Sequence, residues 1–446
     1  MFATLRQRDF TLLWLGGLIS LTGDWMLDIA LPVYVYVVTR SALATSLMAI
    51  AAFVPQPLLG SLAGVFVDRW SRKRTVVVCN LLMMLGLVPL LLVHGRESLW
   101  IIYPVLLGES VLLQFFRAAE SALLPTLVGE ELRVPANSLS GLSQHFSRLI
   151  GPALGGIVVG LAGLRGVVVA DAASFCVAAL LIAPVRARTR HGVPAPAAVE
   201  SPAAPSIRRE WLEGLALVRR ERALSTIFLM TAAMGLGEGI FGVLLVVFVV
   251  RVLHGGALQL GWTMTAQAVG GVLGGLLIGL LGRRFRPARM LGWAALIFGI
   301  VDLLIVDAPG LLAFAGPAAA QLPAVLGIAP VLAIILALFV LVGVPGAATQ
   351  AALMTLIQSA APNRLLGRVM GLLMALMALM ALGGMGIAGA FGDQVGPVPL
   401  LNAQGGAYVL AGLIALARLG AAGRVAAATS AAHVAGAEVL ATPDIR

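Results

Sequence analysis

The sequence predicts an all-α membrane protein with twelve transmembrane helices in two pseudo-symmetric six-helix bundles. Three observations carry that expectation. The chain of 446 residues is 60% hydrophobic and 11% charged, with a mean hydropathy of +1.01. A soluble chain would carry about 25% charged residues to cover its surface. Apolar runs recur along the chain at roughly the 20-residue length that crosses a bilayer. Finally, the frame Gly64, Asp68, Arg69, Arg72, Lys73, Arg74 returns as Gly275, Gly279, Gly282, Arg283, Arg284, Arg286. Each copy joins two apolar runs through a short basic turn.

Taken in order, the expected spans are 11–38, 42–66, 75–94, 98–121, 138–163 and 165–185, then 224–252, 258–282, 288–307, 323–346, 366–392 and 402–420. The first six form an N-terminal bundle over 1–185 and the last six a C-terminal bundle over 224–420. Between them, 186–223 reads as a linker on the basic side. It runs from a Pro/Ala-rich stretch into a segment where Trp211, Leu212, Leu215, Leu217 and Val218 make an apolar stripe among charges. That stripe predicts an amphipathic helix lying on the inner membrane surface. The stretch 309–330 is broken by Pro309, Gly316, Pro317 and Pro323, and the alanine-rich tail 421–446 reads as disordered.

The net charge of +10 could suggest a nucleic-acid partner, but the cations fall in short clusters between spans and form no single face. Twenty-four of the 30 lysines and arginines lie on one side of the predicted membrane and four on the other. By the positive-inside rule the crowded side is cytoplasmic, which puts both termini there. An even number of spans requires the same. No cleavable leader is read, because the first run is too long and lacks a small-residue cleavage pattern. Cys79 and Cys176 lie inside apolar runs without partner spacing, so neither a disulfide nor a metal site is expected. His94, His145, His191, His254 and His433 are scattered, with no acid/base or metal pattern at one membrane face. A membrane-embedded enzyme is therefore the remote reading, and no cofactor is expected.

The repeat locates candidate site residues. Asp24 and Glu238 occupy matching places 214 positions apart, close to the 211 that separate Gly64 from Gly275. A charged carboxylate at mid-bilayer costs about 2.5 kcal/mol or more, so it must be protonated, paired or hydrated. Two at equivalent depth predict a polar cavity between the halves. Asp28, one turn from Asp24 on the same face, and Glu109 in the fourth span support it. Arg117 and Glu120, three apart, are expected to pair locally. Arg148, Asp171 and Asp302 are further intramembrane charges, with Asp302 placed near the outer end of its span.

These motifs resemble the major facilitator superfamily, over nearly the whole chain. Gly64, Asp68, Arg69, Arg72 and Lys73 match its motif A, with Ser71 where glycine is usual. Gly151, Pro152, Gly155 and Gly156 match the core of its antiporter motif. Ser20 to Asp24, Pro125 to Val128 and Ala136 to Leu139 resemble the macrolide-efflux and enterobactin-exporter branch. The resemblance implies a monomeric carrier in a bacterial cytoplasmic membrane that exports a small amphipathic compound by alternating access, with protons as the second partner. It also implies that Asp68 latches onto the start of the eleventh span near Gly367 and Arg368, beside Arg133. A siderophore or metabolite exporter and a lysophospholipid flippase are the competing cargo readings.

Overall fold

The computed structural model describes residues 2–186, 207–314 and 330–440. Among them there are helices and no strand. Eleven helical stretches are long and apolar enough to cross a membrane. In chain order the helices are α1 (Arg8–Thr39), α2 (Ala42–Phe53), α3 (Pro55–Val67), α4 (Arg72–Leu87), α5 (Ile102–Leu127), α6 (Arg133–Ile182), α7 (Ile207–Arg220), α8 (Arg222–Arg251), α9 (Ala257–Leu281), α10 (Pro287–Phe314), α11 (Pro330–Ala360), α12 (Asn363–Val395) and α13 (Pro397–Leu440).

Local chemistry sets the breaks. Helix α1 stops at Arg40, which turns to φ 56° while its N–H still bonds Tyr36 O at 2.8 Å. Pro55 and Pro57 each lack a backbone donor, and the second expected span is accordingly divided into α2 and α3. Helix α6 carries a break at Gly163, whose φ of 64° and ψ of −166° suit only glycine. That break falls where the sequence placed the turn between the spans 138–163 and 165–185. Helix α10 continues through Pro309 to Phe314. The start of the expected span 323–346, and most of the proline-rich stretch before it, lie outside the described residues. The final helix continues to Leu440, well into the stretch expected to be irregular.

One apolar core is built from residues Phe10 to Val185 and another from Val218 to Leu419. A third joins them, with Ile29, Val33 and Tyr36 of α1 packed among α8, α9 and α10 side chains. Helix α7 forms where the amphipathic pattern placed it, but it docks on protein. Val218 is buried, Gly214 lies against Leu372 of α12, and Glu213 pairs with Arg368.

Candidate functional site

The two parts of the chain meet chiefly at the arginine-poor end, and missing side chains make the contact possible. A Cβ on Gly155 would stand 2.8 Å from Met26 Cα in α1, and one on Gly156 2.6 Å from Leu258 Cα in α9. From the other side, a Cβ on Gly261 would stand 2.2 Å from Pro152 O. The antiporter-motif glycines are thus the surface on which α6 packs, backbone against backbone, on α1 and α9. Thr265 Oγ1 donates to Leu149 O at 3.0 Å across the same seam. A second seam joins α2 to α12. Ser46 Oγ donates to Met385 O at 2.6 Å, and Asp393 accepts from Ala42 N at 2.8 Å and from Ser41 Oγ at 3.0 Å. An aspartate from the far end of α12 therefore caps the N-terminus of α2, where the helix dipole favours an anion.

The arginine-rich end is different. Gly64, Gly367 and Gly371 face open space, and Asp68 is exposed. A cavity of about 1660 Å³ is lined there by Asp68, Arg69, Arg72, Lys73, Glu130 and Arg133, with no residue of α12. Asp68 and Arg133 line the same cavity, and no residue at the start of α12 lines it. Arg133 bonds Glu130 at 3.3 Å, and Arg72 Nη1 donates to Ala122 O at 3.1 Å.

Between the two ends lie the acids within the spans, of which Asp171 and Asp302 are buried and Asp24 and Glu109 half-buried. Carboxylate oxygens of Asp24 in α1, Glu109 in α5 and Asp171 in α6 all lie within 4.8 Å of one another. Gly23 brings two of these helices together, since a Cβ there would stand 2.3 Å from Asp171 Oδ1 and 2.4 Å from Ser174 Oγ. Ser174 Oγ donates to Asp171 Oδ1 at 3.2 Å, while Oδ2, fully buried, has no hydrogen-bond partner. Like charges at 4.8 Å repel by about 3 kcal/mol at an effective dielectric near 20, so three bare carboxylates cannot coexist here without protons or a counter-charge. The nearest cationic influence on Asp24, Asp28 and Glu120 is Arg117. The expected ion pair between Arg117 and Glu120 does not form among the described residues. Glu120 Oε1 instead lies where a Cβ on Gly17 would be, at 2.9 Å, so the side chain has swung toward α1.

Glu238 sits in a separate group. Asp302 and Tyr408 feel its charge, and Arg148, reaching across from α6, feels it from the other side. Gln404 Nε2 donates to Asp302 Oδ2 at 2.8 Å, and Tyr408 Oη donates to Met234 O at 3.1 Å. Arg148 also lies 5.8 Å over the Trp25 ring and donates to Gln267 at 3.4 Å. Asp302 is therefore a buried interior group, not the end-of-span residue the sequence suggested. Among the sequence candidates the structure gathers Asp24 with Glu109, leaves Asp28 one turn away where its charge still acts on them, and puts Glu238 with other partners. It adds Asp171, Asp302, Gln404 and Arg148. Beside the first group, a cavity of about 360 Å³ is walled by Leu18, Ile19, Met26, Phe146 and Ile150 and touches Gly23 and Ser174.

Helices long enough to span a membrane, sealed together at one end and apart at the other around buried charge, define a membrane carrier. The profile of the Major Facilitator Superfamily matches residues 13–235 and again 227–439, and the chain belongs to that superfamily. It is 24% identical to macrolide efflux protein A of Streptococcus pyogenes over 65% of this chain and 71% of that one. It is 26% identical to the enterobactin exporter EntS of Citrobacter koseri over 92% of each chain. A bacterial homologue of the iron transporter ferroportin in an inward-facing state shares the fold with a TM-score of 0.68 at 18% identity, covering 92% of this chain and 98% of that one. For such a homologue in an outward-facing state, with 92% and 99% covered at 19% identity, the score is 0.55. These relatives are transporters, and so is this chain; it is not an enzyme.

Proposed function

We propose that the protein exports a small amphipathic compound across a bacterial cytoplasmic membrane by alternating access, in exchange for protons. The observation that carries this reading is the arrangement of one sealed end, one open end and buried carboxylates between them. In the proposed topology the break at Gly163 separates two spans, which makes twelve crossings in two six-helix bundles with both termini cytoplasmic. The open, arginine-rich end then faces the cytoplasm. Motif A is the latch of the opposite state: closure would carry Asp68 to the N-terminus of α12, where the dipole favours it by about 0.3–1 kcal/mol. In the described state Arg368 at that terminus is engaged by Glu213 of α7.

Asp24 is the coupling carboxylate of this reading, with Glu109 and Asp28 supporting it and Glu238 as its counterpart in the other half. A buried carboxylate is neutral with its proton and needs a partner without it. A cationic or polar substrate group and a proton thus compete for one place, and each favours a different state. The apolar wall of the neighbouring cavity suits an amphipathic compound. Macrolide efflux and siderophore export both remain as cargo classes, since named relatives carry each.

The test uses inverted membrane vesicles energised to an acidic interior. Adding a macrolide or a catecholate siderophore should collapse part of the pH gradient only when the protein is present. Accumulation of a compound with no effect on, and no dependence upon, the gradient would overturn the proton-exchange reading.

A further inference from the structure

We infer that Asp24, Glu109 and Asp171 form a binding site for a hard divalent metal cation within the first half of the chain. No local spacing points to a metal, because the three residues stand on separate helices. In the fold their carboxylate oxygens lie within 4.8 Å of one another, close enough for each to offer a ligand atom to one ion.

The donor geometry is built. Asp171 is fully buried, and Ser174 Oγ holds its Oδ1 at 3.2 Å. Oδ2 is thereby left without a hydrogen-bond partner, and a buried oxygen in that condition is unfavourable until something occupies it. Gly23 contributes by absence, since any side chain there would collide with Asp171 Oδ1 and Ser174 Oγ and displace the carboxylate. Charge agrees. Three carboxylates and a divalent ion leave one negative charge, to which Asp28 adds and which Arg117 opposes, both acting on Asp24. The only donors are oxygens, with no thiolate or imidazole in the group. That set favours manganese, calcium or magnesium over softer copper and zinc. The site shares Asp24 with the proton-coupling reading but does not depend on it, because binding can be measured without transport.

The experiment titrates the purified full-length protein in detergent with Mn²⁺ and follows the free-ion signal by electron paramagnetic resonance. Wild type should bind one ion, displaceable by excess Ca²⁺. Asp24→Asn, Glu109→Gln and Asp171→Asn should each weaken binding at least tenfold, and Gly23→Ala should do so while keeping every ligand. Glu130→Gln, on the surface, should bind as wild type. Size-exclusion profiles matching wild type identify which variants remain folded. Absence of Mn²⁺ binding to wild type at millimolar concentration would overturn the assignment. So would a folded Asp171→Asn or Gly23→Ala protein that binds as tightly as wild type. A failure of proton-driven transport, with binding intact, would sink the exporter reading alone.

Discussion

Gly23 in α1 and Gly237 in α8 mark the same position in the two halves, and what each touches differs. At Gly23 the facing residues are Asp171 and Ser174, and at Gly237 they are Gln404 and Tyr408. One contact thus brings a third carboxylate beside Asp24 and Glu109, while the other brings an amide and a phenol beside Glu238. A carboxylate can hold a proton or a cation, whereas an amide only exchanges hydrogen bonds. The repeat therefore duplicated the frame and left the ionisable chemistry concentrated in the first half. In the second, Asp302 is tied to Gln404 and Asp307 accepts from Asn402 at 2.8 Å.

The largest expected effect comes from adding one carbon at the two glycines. Gly23→Ala places a methyl 2.3 Å from Asp171 Oδ1 and 2.4 Å from Ser174 Oγ, so the Asp171 carboxylate must leave its place. Gradient-driven transport in vesicles should fall by roughly tenfold or more, the loss expected when a positioned group moves by about 1 Å. Gly237→Ala meets Gln404 Cγ at 2.9 Å and the Tyr408 ring at 3.2 Å, so an amide and a phenol must give way and no carboxylate is displaced. Its transport should fall by about threefold or less, a shift within the modest cost of a strained rotamer. Equal losses would erase the contrast between the halves.

A smaller effect is expected within the second group. Asp302→Leu strands the buried Gln404 amide, which should cost about 1–3 kcal/mol and lower the melting temperature in detergent. The pH dependence of transport should stay where it was. A shifted pH profile would move coupling into the second half.

Smaller again is the capping aspartate. Asp393→Ala removes the acceptor of Ala42 N and Ser41 Oγ, a loss of about 1 kcal/mol. That should favour opening of the arginine-poor end by about fivefold, read as faster labelling of a cysteine placed in that seam. The least effect is expected at Asp28, which lies in the same span as Asp24 but outside the group of three carboxylates. Asp28→Asn should change transport by about twofold, the scale of losing one like-charge interaction with Asp24 a turn away on the same helix.

The fold was legible because lipid imposes a coarse, strong code. Long apolar runs mark spans, and the arginines mark one side. Gly163 broke the chain where composition placed a turn, and motif glycines 151, 155 and 156 turned out to be contact points. The linker pattern at 212–218 produced its helix, but hydropathy cannot tell a lipid surface from the side of α12, and the helix took the latter. The site was half legible. Asp24 and Glu238 stood out through the repeat, and Glu109 through its depth. Asp171 read only as one intramembrane acid among several, because whether it faces lipid, a neighbour or Asp24 depends on helix rotation. That rotation is set by the contact at Gly23, which appears only when α1 and α6 are brought together. Arg117 and Glu120 show the converse: spacing allowed a pair, and the tertiary environment drew Glu120 toward α1 instead.

Comparing Asp24→Asn with Glu238→Gln in inverted vesicles shows whether coupling resides in the first half. Gradient-driven uptake of a compound that wild type accumulates is measured across a range of external pH. Asp24→Asn should lose its response to the gradient while still exchanging substrate without one, and Glu238→Gln should retain the response. Wild-type rate and pH dependence in Asp24→Asn, or loss of coupling only in Glu238→Gln, would contradict coupling in the first half.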